Sequence, residues 1–188
     1  AAVEALRFVA EVRDLSQIAA MYKDKPVFAE GIAWPSIYHM RLLAHSTGWR
    51  SRGNIQAVAR GLGRMIDLSP FPRFVLRVKN QLVAPASFCM QDFGFIPERM
   101  NGRHWMMWLH RSELFARMGM MERVPALHDQ KREFERLLSQ TGGLFTQPLN
   151  DTYFHNWGAY HGMSLEENWK DDVRRISDLT FRVLLILK

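Results

Sequence analysis

Four arginines carry the chemistry most readily read from this chain. Arg50 and Arg52 stand in the basic stretch Trp49-Arg50-Ser51-Arg52-Gly53-Asn54, and Arg60 and Arg64 follow at a spacing of four, which sets them side by side on a helix. A guanidinium is a planar fork that bonds phosphate through two N–H groups and stacks on bases. A basic loop running into a helix can therefore lay several guanidiniums along a phosphate backbone, with the Trp49 ring stacking a base for about 1 to 3 kcal/mol. Binding RNA without regard to sequence needs little more. Arg73, Arg77 and Lys79 fall on one face of an extended strand and lengthen the same basic set. The rival reading of these residues is a solvated loop with Trp49 as a core anchor, followed by an edge strand kept soluble by its charge.

Composition agrees with an anionic partner without identifying one. Lys and Arg number 25 against 19 Asp and Glu, and the basic residues are 19 Arg to 6 Lys. A sequence pI of about 9.8 favours polyanions, although a GC-rich genome would produce the same arginine bias. Cys89 is the single cysteine, which excludes an intramolecular disulfide or a zinc site built on several cysteines and is compatible with a reducing compartment inside the cell. No apolar run reaches the roughly 18 residues of a membrane-spanning helix. The chain starts Ala1-Ala2-Val3 without Met or a basic leader, as a processed or trimmed chain would.

Catalytic chemistry is poorly represented. Neither G-x-S-x-G nor G-x-x-x-x-G-K-[ST] occurs, so the signatures of nucleophilic catalysis and of phosphate-loop nucleotide hydrolysis are both missing. Of the seven histidines, His104 and His110 are six apart, about 120° from each other around a helix, and converge poorly. His155 and His161 flank an aromatic loop with Asp151 nearby, a set with the composition of a two-His-one-carboxylate site, though their spacing follows no metal motif. Asp129 suits a helix N-terminus better than a catalytic pair with His128. No catalytic residue, metal or cofactor is assigned.

The elements that must position the arginines follow from apolar periodicity. Val3, Leu6, Val9, Val12, Leu15, Ile18 and Met21 recur every three residues. On a 3.6-residue helix that stripe winds round the axis. Either a partner covers more than one face, or the segment breaks at Asp14, whose pairing with Gln17 forms a capping box for a second short helix. Pro26 ends the segment. Pro35 suits the first turn of a helix with Trp34, Ile37, Tyr38, Arg41, Leu42 and His45 along one side. Asn54 is the expected N-cap of a helix over residues 55–68 burying Ile55, Val58, Leu62 and Ile66. Gly61 and Gly63 inside it each cost about 1 kcal/mol relative to Ala, which means either close approach of a backbone or phosphate, or a frayed helix. Residues 73–84 fit a β-hairpin turning at Asn80-Gln81.

A central core helix is expected over residues 102–118, carrying Trp105, Trp108, Leu109, Phe115 and Met118. A second, over 126–140, has Leu127, Phe134, Leu137 and Leu138 inward and stops at Gly142-Gly143. Ser164 and Glu167 form a capping box that opens a last helix striped by Leu165, Trp169, Val173, Ile176, Thr180, Val183 and Leu187. Its end, from Phe181 to Leu187, is apolar nearly all round, so either a partner covers it or it is a terminal core helix or a trimmed end. Arms exchanged between copies would account for both apolar ends.

Short stretches resemble the nucleoproteins of phenuiviruses and related segmented negative-strand RNA viruses. Phe145-Thr146-Gln147-Pro148-Leu149-Asn150 is similar to a stretch of that family's C-terminal lobe. Leu68-Ser69-Pro70-Phe71-Pro72-Arg73 is similar to its Leu-Ser-Pro-x-x-Pro-Arg, one residue shorter, and Arg52-Gly53-Asn54 echoes a basic turn. The resemblance implies a two-lobed helical fold, sequence-independent RNA binding and an exchanged N-terminal arm. Against that family's pattern, the usual Lys-rich groove is thin here and the chain is shorter than expected.

The expectation is one mainly α, compact helical domain over residues 1–188, with room for one short β-hairpin and with apolar terminal helices. The expected function is sequence-independent binding of RNA or another polyanion by a chain that forms homo-oligomers or joins a larger assembly. The first alternative is an accessory structural subunit of a large assembly, such as a mitochondrial complex, in which Arg, Trp and Met serve protein contacts. A small metal-dependent enzyme using His155 and His161 is the distant one.

Overall fold

The computed structural model describes residues 1–91, 99–149 and 165–188. The chain divides into two compact units, residues 1–94 and 95–188. Six helices and two two-stranded sheets make up the regular structure among the described residues. The chain is mainly α, as its periodicity predicts.

In the N-terminal unit the winding stripe resolves into a broken segment. Helix α1 (Ala2–Glu11) buries Ala2, Ala5, Leu6 and Val9 on one face, and the chain then turns at Asp14. The Asp14 carboxylate accepts from the Ser16 N–H at 2.8 Å, while the Gln17 side chain accepts from the Asp14 N–H. This is the expected capping box, but it opens only a single 3₁₀ turn, Leu15–Gln17. The chain then forms a hairpin rather than a second helix, with β1 (Ala19–Tyr22) antiparallel to β2 (Lys25–Phe28). Its two turn residues, Lys23 and Asp24, have φ of 49° and 56°, the left-handed pair that matches the twist of a two-residue hairpin.

The expected hairpin is present as β3 (Leu76–Val78) and β4 (Gln81–Val83). It is stitched to the first by a parallel bridge between Val27 and Val75, with the Phe28 N–H donating to the Val75 carbonyl and the Val75 N–H to Pro26. Beneath the bridge Phe28 stacks on Phe74 at 4.7 Å and on Trp34 at 5.9 Å.

Helix α2 (Ile37–His45) begins two residues beyond Pro35 and buries Ile37, Met40, Leu43 and Ala44. The expected stripe is thereby corrected, since Tyr38 and Leu42 face solvent. Its capping box uses a histidine: Ser36 Oγ accepts from the His39 N–H, and His39 Nδ1 accepts from the Ser36 N–H, both at 3.3 Å. Burial, and secondarily the charged N-terminus, hold His39 below its ordinary 6.5. The fold thus favours the neutral ring, whose contribution is present above pH 6.5 and is lost as pH falls through the lowered folded value. The urea midpoint should drop between pH 7 and pH 5, and drop less in His39→Gln, whose amide keeps the acceptor without titrating. Equal drops in the two proteins would contradict this role for His39.

Helix α3 (Arg52–Asp67) is capped by Ser51, not by Asn54, and its buried face is Ala57, Val58, Gly61, Leu62 and Met65. Ile55 and Ile66 are only half-buried. Gly61 meets the backbone of α1 at Leu6, so close approach, not fraying, is the reason for a glycine there. Because α1 lies on α3, its apolar face is covered within its own unit.

The second unit is built on α4 (Gly102–Arg117), capped by Asn101. Its Trp108 stacks on Phe134 at 3.9 Å and donates its indole N–H to the Gln130 side chain at 3.1 Å. Phe134 and Gln130 belong to α5 (Pro125–Ser139), which ends before Gly142 and Gly143, both at positive φ. Helix α6 (Asp172–Leu187) packs on α4 and α5. It opens later than expected, at the Asp171 cap, and Ser164 lies outside the described residues. Leu165 to Trp169 do not join the helix because Asp178 ties them: its Oδ2 accepts from the Leu165 and Glu166 N–H groups and from the Trp169 indole at 2.7 Å. Val173, expected on the buried stripe, is exposed.

Candidate polyanion surface and hairpin cleft

Positive charge is divided unevenly between the units. Residues 1–94 hold twelve Lys and Arg against seven Asp and Glu, and residues 95–188 hold thirteen against twelve. Nearly all of the net +6 therefore belongs to the first unit. In the second, six cations pair with carboxylates among the described residues: Arg117 and Arg182 with Glu113, Lys131 with Glu122, Arg132 with Asp129, Arg136 with Glu133 and Arg175 with Asp172.

The residues singled out by sequence separate into three groups. Arg52, Arg60 and Arg73 are exposed and have no ion-pair or hydrogen-bond partner among the described residues. Arg50 is exposed as well, its guanidinium 5.8 Å from the Trp49 ring centre. All four are open to solvent.

Arg64 and Trp49 serve the fold instead. Arg64 Nε donates to the Val12 carbonyl at 2.6 Å and its terminal nitrogen to the Arg13 carbonyl, so its cation closes the carbonyl end of α1, where the helix dipole is negative. Only 4.0 Å separates it from the Asp67 carboxylate. Trp49 is 8% exposed and gives its indole N–H to the carbonyls of Leu43 and Ser46. The ring pins the α2–α3 connection and is not a free stacking platform, a correction to its expected role.

Arg77 and Lys79 form the third group with two residues that sequence reasoning missed, Tyr22 and Lys23. The Arg77 guanidinium lies 4.2 Å over the Tyr22 ring centre, and Lys23 stands 5.3 Å from it. Arg77 Nε also donates to the Lys79 carbonyl at 3.0 Å, and Lys23 reaches the Asn80 carbonyl at 3.5 Å. The tips of both hairpins are thus held together by cation–aromatic contact. The signal available in the sequence was the strand pattern of residues 19–28 around Lys23-Asp24. Between the hairpins lies a cleft of about 640 Å³ whose lining includes the apolar Met21, Val27, Phe28, Ile32 and Leu76 and the cationic Arg77 and Lys79.

Among the described residues, no group of three or more His, Cys, Asp or Glu could hold a metal ion. His104 is exposed and His110 buried, so they do not converge. His155, His161 and Asp151 lie outside the described residues. No helix among the described residues is long and apolar enough to cross a membrane. No protein-family profile matches the chain, and no curated protein or solved structure is significantly similar to it.

Proposed function

We propose that this chain binds RNA without sequence preference through the exposed cations of its first unit, and that it associates with further copies through the outer face of α6. The observation that carries the reading is the charge division: almost the whole net positive charge lies in residues 1–94, and Arg52, Arg60 and Arg73 are left exposed and unengaged there. Unneutralised guanidiniums repel one another, and a polyanion that releases its counterions on binding relieves that repulsion. Arg50, Arg77 and Lys79 extend the contact. The resemblance of short stretches to nucleoproteins of segmented negative-strand RNA viruses accords with it.

For association, Val173, Phe181, Leu184 and Leu185 are exposed on α6, Val173 at 73% and Leu184 at 51%. Phe181, Leu184 and Leu185 sit at i, i+3 and i+4, a contiguous apolar patch on one side of the helix. The same patch suits a subunit of a larger hetero-assembly, which is the competing reading.

The cations are tested by comparing wild type with the Arg52→Ala, Arg60→Ala, Arg73→Ala triple variant on a mixed-sequence single-stranded RNA across a salt series. Each lost phosphate contact should make the log–log slope shallower by about 0.7, so the triple variant should lose roughly 2 units of slope. An unchanged slope would remove these arginines from the interface.

A further inference from the structure

We infer that the cleft between the two hairpins takes a small amphiphilic anion, a single phosphate or carboxylate group on an aliphatic body. Its volume, about 640 Å³, lies within the range of small-molecule sites. The lining includes the apolar Val27, Phe28, Ile32 and Leu76, together with Met21, which is 70% exposed, a thioether that gains by being covered. Arg77 and Lys79 are the cations of the same lining. Arg77 is already ordered by the Tyr22 ring and by the Lys79 carbonyl on its Nε. Its terminal nitrogens have no partner among the described residues, so an anion meets a guanidinium that loses little freedom on binding. Glu30 is the one acidic residue in the lining against these two cations.

The aromatic contacts select an aliphatic body over a nucleobase. Phe28 is stacked against both Trp34 and Phe74, and Tyr22 carries Arg77 over its ring. Both rings that could have stacked a base are engaged, leaving methyl, methylene and thioether surface for contact. This inference does not rest on RNA binding.

The test is calorimetric titration of the full chain with decyl phosphate below its micelle concentration. Saturable one-site binding is expected, at least tenfold tighter than that of inorganic phosphate or of decanol. Arg77→Gln should weaken it about tenfold. Ala20→Trp, which introduces an indole at an exposed position of the cleft lining, should abolish it while the circular dichroism spectrum stays unchanged. Decyl phosphate binding no better than inorganic phosphate, binding that survives Ala20→Trp, or sedimentation with anionic vesicles without binding of the monomer would each overturn the inference. Loss of RNA binding with decyl phosphate binding intact would reject only the RNA reading.

Discussion

Gly61→Ala should destabilise the protein by at least about 2 kcal/mol, although alanine is the better helix former by about 1 kcal/mol. A Cβ at this position would lie 2.4 Å from the Leu6 carbonyl oxygen and 2.9 Å from the Leu6 Cβ. The obstacle is backbone, so it cannot be relieved by a side-chain rotation; α1 would have to move away from α3. Leu6 and Val9 are fully buried along α1, and lifting the helix opens voids around both, beyond the 1 to 3 kcal/mol or so typical of overpacking. Gly53 supplies the control. It too is in α3, but an added Cβ there meets nothing within 4 Å, so Gly53→Ala should leave stability unchanged or raise it slightly. Urea unfolding followed by circular dichroism measures both. Equal effects of the two substitutions would mean that α1 and α3 do not cross at Gly61.

Arg182→Ala should cost about 3 to 5 kcal/mol, the range for breaking a buried ion pair by removing one partner. Arg182 donates to Glu113 Oε2 from Nε at 3.1 Å and from a terminal nitrogen at 2.7 Å. The two side chains are only 5% and 14% exposed. Arg117, which bonds the other Glu113 oxygen at 2.9 Å, is far more exposed, and Arg117→Ala should cost under about 1 kcal/mol. The double replacement Glu113→Leu, Arg182→Met should be much milder than Arg182→Ala, because neither charge is left buried alone.

The same contacts set the pH dependence. Burial pushes the Glu113 carboxyl up, but Arg182 and then Arg117 together outweigh it and hold the group below its ordinary 4.5. A carboxyl lowered on folding contributes stability above pH 4.5 that is lost as pH falls through the folded value. The penalty of Arg182→Ala should therefore be smaller at pH 3 than at pH 7, as chemical denaturation at the two pH values would show.

Much of this architecture was written in local pattern. The Trp105 and Trp108 repeat, the apolar stripe of α5 and the Gly142-Gly143 stop are signals whose partners lie within a turn or two, and α4 and α5 fall within a residue or two of their expected ends. The β3–β4 hairpin was legible for the same reason. The first hairpin was not: Ala19 and Ala20 continue a helical spacing, and its turn is Lys23-Asp24 rather than the Asn-Gly pair that announces such turns. On α2, Tyr38 with Leu42 and Met40 with Leu43 give equally good stripes, and only the packing of Ile37, Met40 and Leu43 decides between them.

The candidate surface divides along the same line. Exposure of Arg52 and Arg73 follows from their setting in polar or loop sequence, and that of Arg60 from its place off the buried face of α3. The engagement of Arg64 depends on carbonyls of Val12 and Arg13, about fifty residues away, and that of Trp49 on a turn it closes itself. Neither is visible to periodicity. Tyr22 and Lys23 became part of the picture only when two hairpins, separate in sequence, were stitched at Val27 and Val75.

The measurement that bears most directly on the proposed function is equilibrium binding of the wild-type chain to a mixed-sequence single-stranded RNA, from low to physiological salt. Contact through the exposed arginines of residues 1–94 predicts binding at low salt that is indifferent to base sequence, and a log affinity falling linearly with log salt at about −0.7 per phosphate contact. No binding at low salt, or an affinity that salt leaves unchanged, would contradict it and leave the apolar face of α6 serving a protein assembly instead.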